Sequence, residues 1–528
     1  MDIPTPTLLV MDKPPNRWTT LLASKTFLFW SIYSFLSLVV IGFDLSLAGQ
    51  VLSMPAFNKE FGRIFENSYV TPALWQSLWN GMSQLGQCIG ALVSTPISNH
   101  YGRRWSYIVA SCTCIVGIAF QFASHEWKLM LVGKLINGFG LGMCFTFAPL
   151  YIGENCFPEL RGFFLVFLNW SIVYGQFFAA LTARWSETLS GNAAWRIPIG
   201  MQWVFPVVAL ILMPFFPESP YYILTKEKDT KKARKALERL YNKRNVELID
   251  RRMRELQVEI AAYDQISEGV TWKDPLRKRN LERTGLTFLT GATQQVIGTS
   301  FIFSYFGYFV QLFGVAQPFD MSVVFYLAGI IGNSMAFYLI ERIGRRTLIV
   351  QGLLIMWVML ILIGGLAFAS GSNIPNALVA LFVVWGWIYN VTLGAGALVL
   401  SSEISDLRLR AYTQPLVTIA NAGVGWISNF VSPYLINPDE ADLGAKVGLI
   451  FGGLGFLSWI WAYFYVPETN SLTYVELAYL FENKTNRRKF PEAIAKHRQD
   501  LARDEKVREG VLVTGDEGKG AVEHTESV

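Results

Sequence analysis

Long apolar runs alternate with short polar connections along most of this chain, and the runs set its secondary structure. Twelve occur, at 26–50, 75–98, 105–124, 129–151, 163–184, 198–216, 284–311, 320–340, 347–370, 375–400, 414–436 and 446–466. Each is roughly 20 residues or more, the length that carries an α-helix across about 30 Å of hydrocarbon. The runs are continuous rather than alternating, so the pattern predicts helices and excludes a transmembrane barrel. Several contain Gly, Pro or a polar residue, which helices in lipid tolerate where neighbours or a water-filled cavity satisfy the exposed groups.

Composition agrees with that solvent. Of 528 residues, 52% are hydrophobic and only 16% charged, where a soluble chain of this size would show several cores separated by polar faces. The short connections set the orientation. "HYGRRW" (100–105), "ERIGRR" (341–346) and "SDLRLR" (405–410) fall on one side with the basic N-terminal segment, while the connections near 185–197, 312–319 and 437–446 are poor in Lys and Arg. Both termini are therefore expected in the cytoplasm, and the net charge of +5 reflects inner-face loops rather than a nucleic-acid surface. No cleavable signal peptide is expected in the first 25 residues. The five cysteines lie in runs or at their inner edges, without zinc-type spacing. No nucleophile–base set or phosphate loop argues for an enzyme, and no cofactor is expected.

One long hydrophilic interruption, Pro217 to Arg283, separates six runs from six. Its Lys, Arg and Glu recur at helical spacing and predict a solvated helical cap. Splitting the chain there exposes a repeat. "NHYGRR" (99–104) matches "ERIGRR"; "GENCFPELRG" (153–162) matches "SEISDLRLRA" (402–411); "PESP" (217–220) matches "PETN" (467–470). Two six-helix halves with matched motifs suggest a duplicated carrier with its site between the halves. The expected organisation is a cytoplasmic segment 1–25, a first half 26–217, a helical linker 218–283, a second half 284–466 and a cytoplasmic tail 467–528.

The ordered set of motifs resembles the sugar porter branch of the major facilitator superfamily, from about residue 26 to 482. Its pieces are "GFD" (42–44), "GRR" (102–104), "GKLINGFGLG" (133–142), "YIGENCFPELRG" (151–162), "PESP", "QQVIG" (294–298), "ERIGRR", "SSEISDLRLR" and "PETNSLTYVELAYLFE" (467–482). "LSMPAFNKEFG" (52–62), "WRIPIGMQWVFP" (195–206), "GTSFIF" (298–303) and "LRLRAYT" (407–413) look closest to the fungal α-glucoside proton symporters of the maltose permease type. The resemblance implies an all-α membrane fold of twelve helices in two halves and a place in the plasma membrane.

Physical reasoning gives the inner-face motifs a task. Arg103, Arg104, Arg345 and Arg346 are expected to end helices facing the cytoplasm, and Glu154 and Glu403 to begin the loops opposite. Charge-assisted pairs among these, with Arg161, Glu341, Arg408 and Arg410, are expected to latch the two halves while the cavity opens outward. The chain departs from the family pattern in places. Asn99 and His100 precede the first aromatic-Gly-Arg-Arg element where an acid and a base are usual, which predicts a weaker first-half latch than the Glu341 one. Lys134 replaces a frequent arginine, Ala395 a proline, and Leu398 the tryptophan expected before the loop glutamate.

A sugar needs amides that donate and accept at once, with an aromatic plate for its apolar face. The resemblance places Gln176, Gln294, Gln295, Ser300, Trp426 and Asn429 at the substrate, and Trp385, Trp387 and Tyr389 form a denser aromatic group in "VVWGWIYN". Asp44, in the middle of the first run, costs about 2.5–3.5 kcal/mol on insertion scales, so a role must offset that cost. The resemblance pairs it with Lys134 as the proton-coupling set. The expected function is sugar uptake by proton symport. The alternatives are a carrier, exporter or uncoupled facilitator for a polyol, aromatic acid or secondary metabolite, and a nutrient sensor, which usually has a longer tail.

Overall fold

The computed structural model describes residues 24–499, apart from 66–67, 158–159, 268–270, 272, 316, 370, 406–408, 471, 473 and 484. Before the hydrophilic segment lie α1 (Lys25–Leu52), the short α2 (Pro55–Phe61), α3 (Ala73–Tyr101), α4 (Arg103–Phe122), α5 (Trp127–Asn155), α6 (Arg161–Ser186), α7 (Ala193–Met201) and α8 (Val204–Leu212). A two-stranded hairpin, Arg63–Phe65 against Ser68–Val70, follows α2. The hydrophilic segment forms α9 (Thr230–Tyr241) and α10 (Val246–Ser267). After it come α11 (Lys278–Val296), α12 (Thr299–Leu312), α13 (Pro318–Ile343), α14 (Arg345–Leu366), α15 (Ile374–Tyr389), α16 (Ala395–Ile404), α17 (Arg410–Ile436), α18 (Val447–Tyr465) and α19 (Tyr474–Glu482).

Among the described residues, nine helical segments are long and apolar enough to cross a membrane by length and composition. Three runs expected to cross fall outside that group for physical reasons. The 29-residue α3 carries Gln76, Asn80, Gln84 and Gln87, and α17 carries Asn421 and Asn429. The run at 284–311 breaks into α11 and α12 at Gly298, whose φ of +86° lies in the left-handed region. A Cβ there would also stand 2.9 Å from the Phe451 ring. These are the helices that face polar space between the halves, so they need not be apolar all round.

Across the molecule α1 packs on α12, α3 on α17 and α6 on α13, which brings the early helices against the late ones. The hydrophilic segment docks rather than hangs free. Asp229 caps α9 by accepting from Lys231 N and Lys232 N. Fully buried Arg252 donates to Glu154 O at 3.0 Å, and Tyr241 OH to Asn155 O at 2.5 Å, so α9 and α10 are tied to the end of α5.

The sequence repeat reappears as one constellation built twice. Gly102 and Gly344 have φ of +96° and +93°, which turns the chain sharply between helices. At each turn a carboxylate fills the helix N-terminus. Glu218 accepts from Arg103 N and Arg104 N at 2.9 and 3.2 Å, and Glu468 from Arg345 N and Arg346 N at 3.0 and 3.2 Å. That satisfies orphan N–H groups and places an anion at the positive helix end. A Cβ on either glycine would lie 2.6 or 2.5 Å from that carboxylate, so glycine is required for the close approach. The "PESP" and "PETN" motifs match because each supplies this glutamate. Burial outweighs the N–H donors to Glu218 and raises its pKa from the ordinary carboxylate range.

Candidate functional site

Two neighbouring features make up the site: a cavity between early and late helices, and an ion pair beside it. The cavity measures about 130 Å³ in space open to water centres. Ile41 and Leu45 of α1, Gln84 and Gln87 of α3, Phe145 of α5 and Asn169 and Gln176 of α6 line one side. Gln294 and Gln295 of α11, Ser300 and Phe303 of α12, Tyr389, Asn390, Leu398 and Asn421 line the other. Among the described residues, none of its lining side chains is charged.

On the late-helix side the amides hold one another in place. Asn421 Nδ2 donates to Gln294 Oε1 at 2.9 Å, Gln295 Nε2 to Asn421 Oδ1 at 3.1 Å, and Ser300 Oγ to Gln295 Oε1 at 2.6 Å. The break at Gly298 is what lets Ser300, on α12, reach back to Gln295, on α11. Gln87 Nε2, Asn169 Nδ2, Gln176 Oε1 and Asn390 Oδ1 are buried without a partner among the described residues. Two donors and two acceptors on residues that line the cavity therefore lack a partner, a set that suits a ligand able to accept and donate at once. Tyr389 provides an aromatic surface there and stacks at 5.8 Å on buried Trp385.

The structure brings Gln176, Gln294, Gln295 and Ser300 to this cavity as expected from the sequence, and it places two expected ligands elsewhere. Asn429 donates to Gly425 O at 3.0 Å within its own helix, and Trp426 packs over Gly81; neither lines the cavity. Asn421, two turns earlier on α17, takes the expected place. Gln84, Gln87, Asn169 and Asn390 were missed. The α3 amides were discoverable, since Gln76, Asn80, Gln84 and Gln87 recur at intervals of three and four and so share one helix face. Asn390 sits at a wide π-helical turn, Asn390–Gly394, which single-residue patterns do not announce.

Asp44 and Lys134 meet on the early-helix side. Lys134 Nζ lies 2.9 Å from Asp44 Oδ1, with the two side chains 9% and 4% exposed. Asn137 Nδ2 donates to the same oxygen at 3.1 Å and Ser83 Oγ to Oδ2 at 3.3 Å. Close packing of α5 on α3 makes this possible: a Cβ at Gly138 would stand 2.2 Å from Ser83 O. All of Asp44's contacts are thus made inside the early-helix group.

The inner-face charges form two separate clusters, one in each group of helices. Arg103 Nε donates to both Glu154 oxygens at 3.1 and 2.9 Å, and Ser219 Oγ donates to Glu154 at 2.6 Å. Arg345 Nη2 donates to Glu403 at 3.1 Å, and Thr469 Oγ1 to Glu403 at 2.5 Å. Each pair closes within its own group of helices, because each arginine starts the helix next to its glutamate's helix. Arg104 and Arg346 instead donate to backbone carbonyls, of Met213 and Tyr463 respectively. Arg408 and the side chains of Arg161, Glu341 and Arg410 lie outside the described residues.

Hydrogen bonds that join the two groups of helices gather at the end away from the arginine motifs. Asn437 is their hub. It accepts from Gln76 Nε2 at 3.0 Å and donates to Thr71 O at 2.9 Å, both of the early group, while Tyr308 OH of its own group donates to it at 2.9 Å. Ser77 Oγ donates to Phe430 O at 2.7 Å, and Arg184 pairs with Asp320.

Comparison with known proteins agrees with this architecture. The family described as "Sugar (and other) transporter" matches residues 30–481. The general alpha-glucoside permease of Saccharomyces cerevisiae is 28% identical over 474 residues, covering 88% of this chain and 77% of its own. The MFS transporter fmqE of Aspergillus fumigatus is 29% identical and covers 92% of each chain. The partially occluded, inward-open xylose transporter XylE from E. coli superimposes with a TM-score of 0.70 at 16% identity, over 85% of this chain and all of that one. This is the major facilitator fold of a multi-pass integral membrane carrier, not an enzyme, and the chain belongs to the sugar (and other) transporter family.

Proposed function

We propose that the protein is a proton symporter that moves a neutral, polyhydroxylated sugar, an α-glucoside, disaccharide or hexose, through the cavity by alternating access. The observation that carries this reading is the lining: unpartnered amide donors and acceptors, an aromatic face and no charge. Hydroxyl pairs satisfy such a set, whereas an ionised substrate would lack a counter-charge. The names of the yeast relatives support the same substrate class. Gln176, Gln294, Gln295 and Ser300 bind substrate in this reading, helped by Asn421. Asp44 and Lys134 couple the proton. The chain sits in the plasma membrane as two six-helix halves, 26–217 and 284–466, joined by the linker 218–283, with the arginine motifs and both termini cytoplasmic. Radiolabelled uptake of maltose, glucose and a polyol in cells lacking their own carriers tests it, and uptake of none of them at any pH gradient sinks it.

A second reading, a carrier for another neutral small molecule, draws on the apolar part of the lining, Leu398 included, and on the full-length match to fmqE. Competition of the labelled sugar by an excess of an aromatic compound, without competition by other sugars, would favour it.

If Gln176 and Gln295 meet substrate hydroxyls, Ala at either raises the apparent Michaelis constant about two- to tenfold at unchanged surface expression, since one lost neutral hydrogen bond costs about 0.5–1.5 kcal/mol. Unaltered values in both variants remove these residues from the site.

Alternating access also requires the Asn437 hub to open. Asn437→Leu removes two bonds between the halves, those to Gln76 and Thr71, each worth about 0.5–1.5 kcal/mol net, and shifts the resting population toward the outward-open state. Labelling of single cysteines placed on the two faces reads the shift, and an unchanged ratio contradicts the role given to the hub.

A further inference from the structure

A second, smaller cavity lies in the first half, between the Asp44–Lys134 pair and the outer end. Lys134 forms its floor, Ala48, Leu52, Gln76 and Gln121 are among its walls, and Phe57 of α2 roofs it. Phe57 and Phe61 each meet Trp79 and Trp195 edge to face, with centroids 5.6–5.8 Å apart, so these rings hold α2 over it as a cap. The space measures about 30 Å³. A water centre needs roughly 10–15 Å³, so the chamber has room for about two.

A purely apolar chamber of this size stays dry, whereas this one is provided with acceptors. Gln76 and Gln121 are 1% and 0% exposed, and Oε1 of each has no partner among the described residues. Their Nε2 atoms are already engaged. Gln121 donates to Gly133 O at 3.4 Å, and Gln76 to Thr71 O at 2.8 Å and Asn437 Oδ1 at 3.0 Å. Two buried acceptors above an ammonium group are what a short chain of water would satisfy. Ser83 of α3, Asn137 and Cys144 of α5, and Cys114 of α4 face the pair. Among the described residues, no further charged side chain lies within ion-pair distance of Asp44 or Lys134.

We infer that this chamber is the outer proton path, a route inside the first half and separate from the substrate cavity between the halves. The inference rests on the symport reading above. A proton from outer water passes along water held by Gln76 and Gln121 to Lys134, which hands a proton to Asp44 Oδ1, 2.9 Å away, and takes the arriving one in its place. Lys134 ends as an ammonium and loses its ionic partner. Gln76 belongs to both devices, because the amide that faces the chamber also bonds Asn437 of the second half. Opening of the outer closure therefore displaces a wall of the proton path, which ties proton entry to conformation.

The test uses the full chain in intact cells with an imposed pH gradient. Gln121→Leu keeps the bulk and removes the acceptor. It is expected to slow substrate-induced alkalinisation of the medium roughly tenfold, equivalent to about 1.4 kcal/mol of barrier, while equilibrium exchange of labelled substrate continues. Ala48→Cys places a thiol in the chamber wall. External silver ions are expected to block A48C and not the unmodified protein, and saturating substrate is expected not to protect A48C. Alkalinisation at the original rate in Gln121→Leu, or indifference of A48C to silver, overturns the chamber. Absence of alkalinisation in the unmodified protein overturns the symport reading itself. If Gln121→Leu fails to reach the membrane, the silver experiment on A48C decides alone.

Discussion

In the symport reading, Asp44→Asn is expected to abolish accumulation of substrate against a gradient while leaving exchange of labelled substrate across the membrane. The carboxamide matches the protonated acid in shape and neutrality, so the protein is fixed in the state it reaches after taking up a proton. Asp44 accepts from Lys134 and Asn137 on one oxygen and from Ser83 on the other. An asparagine retains one acceptor oxygen for Lys134. Exchange needs only the loaded carrier to turn over, and the substrate cavity is untouched by the change. Net uptake needs the empty carrier to return with Asp44 deprotonated, and that step is lost. The driving force goes with it, about 2.3 kcal/mol per 100 mV for each charge moved inward. The competing account is a static pair that merely fixes α1 to α5. It predicts a different result, because breaking a buried pair costs about 3–5 kcal/mol and the variant would fail to accumulate as folded protein. Surface expression, labelled exchange and medium pH, measured together, separate the two. Uptake of Asp44→Asn that still follows a pH gradient sinks the proton role.

The sequence made the apolar runs, the repeat and the polar pair in the first half legible, because each depends on residue type at fixed spacing. Hydropathy marks a helix whichever way its faces turn. The duplicated Gly-Arg-Arg and Pro-Glu motifs could be matched by eye, yet their meaning needed coordinates: Glu218 and Glu468 cap the helices that Arg103 and Arg345 begin. The latch between halves is expected while the cavity opens outward; here the end away from the arginine motifs is closed through Gln76 and Asn437, and the described pairs each stay within one half. Opposite charges at matched positions say that a pair forms, and only packing says on which side of an interface. The candidate substrate site was half visible. Gln294, Gln295 and Gln176 stand out as amides in apolar runs, but choosing between Asn421 and Asn429 on one helix requires its rotation relative to α11. Eight residues separate the two positions, so they lie roughly 80° apart at 100° per residue, and the structure turns only Asn421 toward Gln294.

The twin constellations also differ in burial. The weaker first-half latch expected from Asn99 is set against Glu341, whose side chain lies outside the described residues; Asn99 itself is exposed, and the described first-half pair is Arg103 with Glu154. Those side chains are 5% and 9% exposed, against 14% and 23% for Arg345 and Glu403. Arg103 also donates to Ser98 O at 3.0 Å and lies 5.0 Å from the Tyr222 ring centroid. Arg103→Ala therefore leaves Glu154 buried with only Ser219 Oγ to answer its charge, a loss of about 3–5 kcal/mol for a buried pair. Arg345→Ala leaves Glu403 with Thr469 Oγ1 and more access to solvent, so its cost is smaller. The expected result is a lower unfolding temperature for both purified variants, with the greater fall in Arg103→Ala. Pairing Arg103→Ala with Glu154→Gln removes the stranded charge and recovers part of the loss. Equal falls in the two single variants, or no recovery in the double variant, would show that solvent exposure does not set the strength of these clusters.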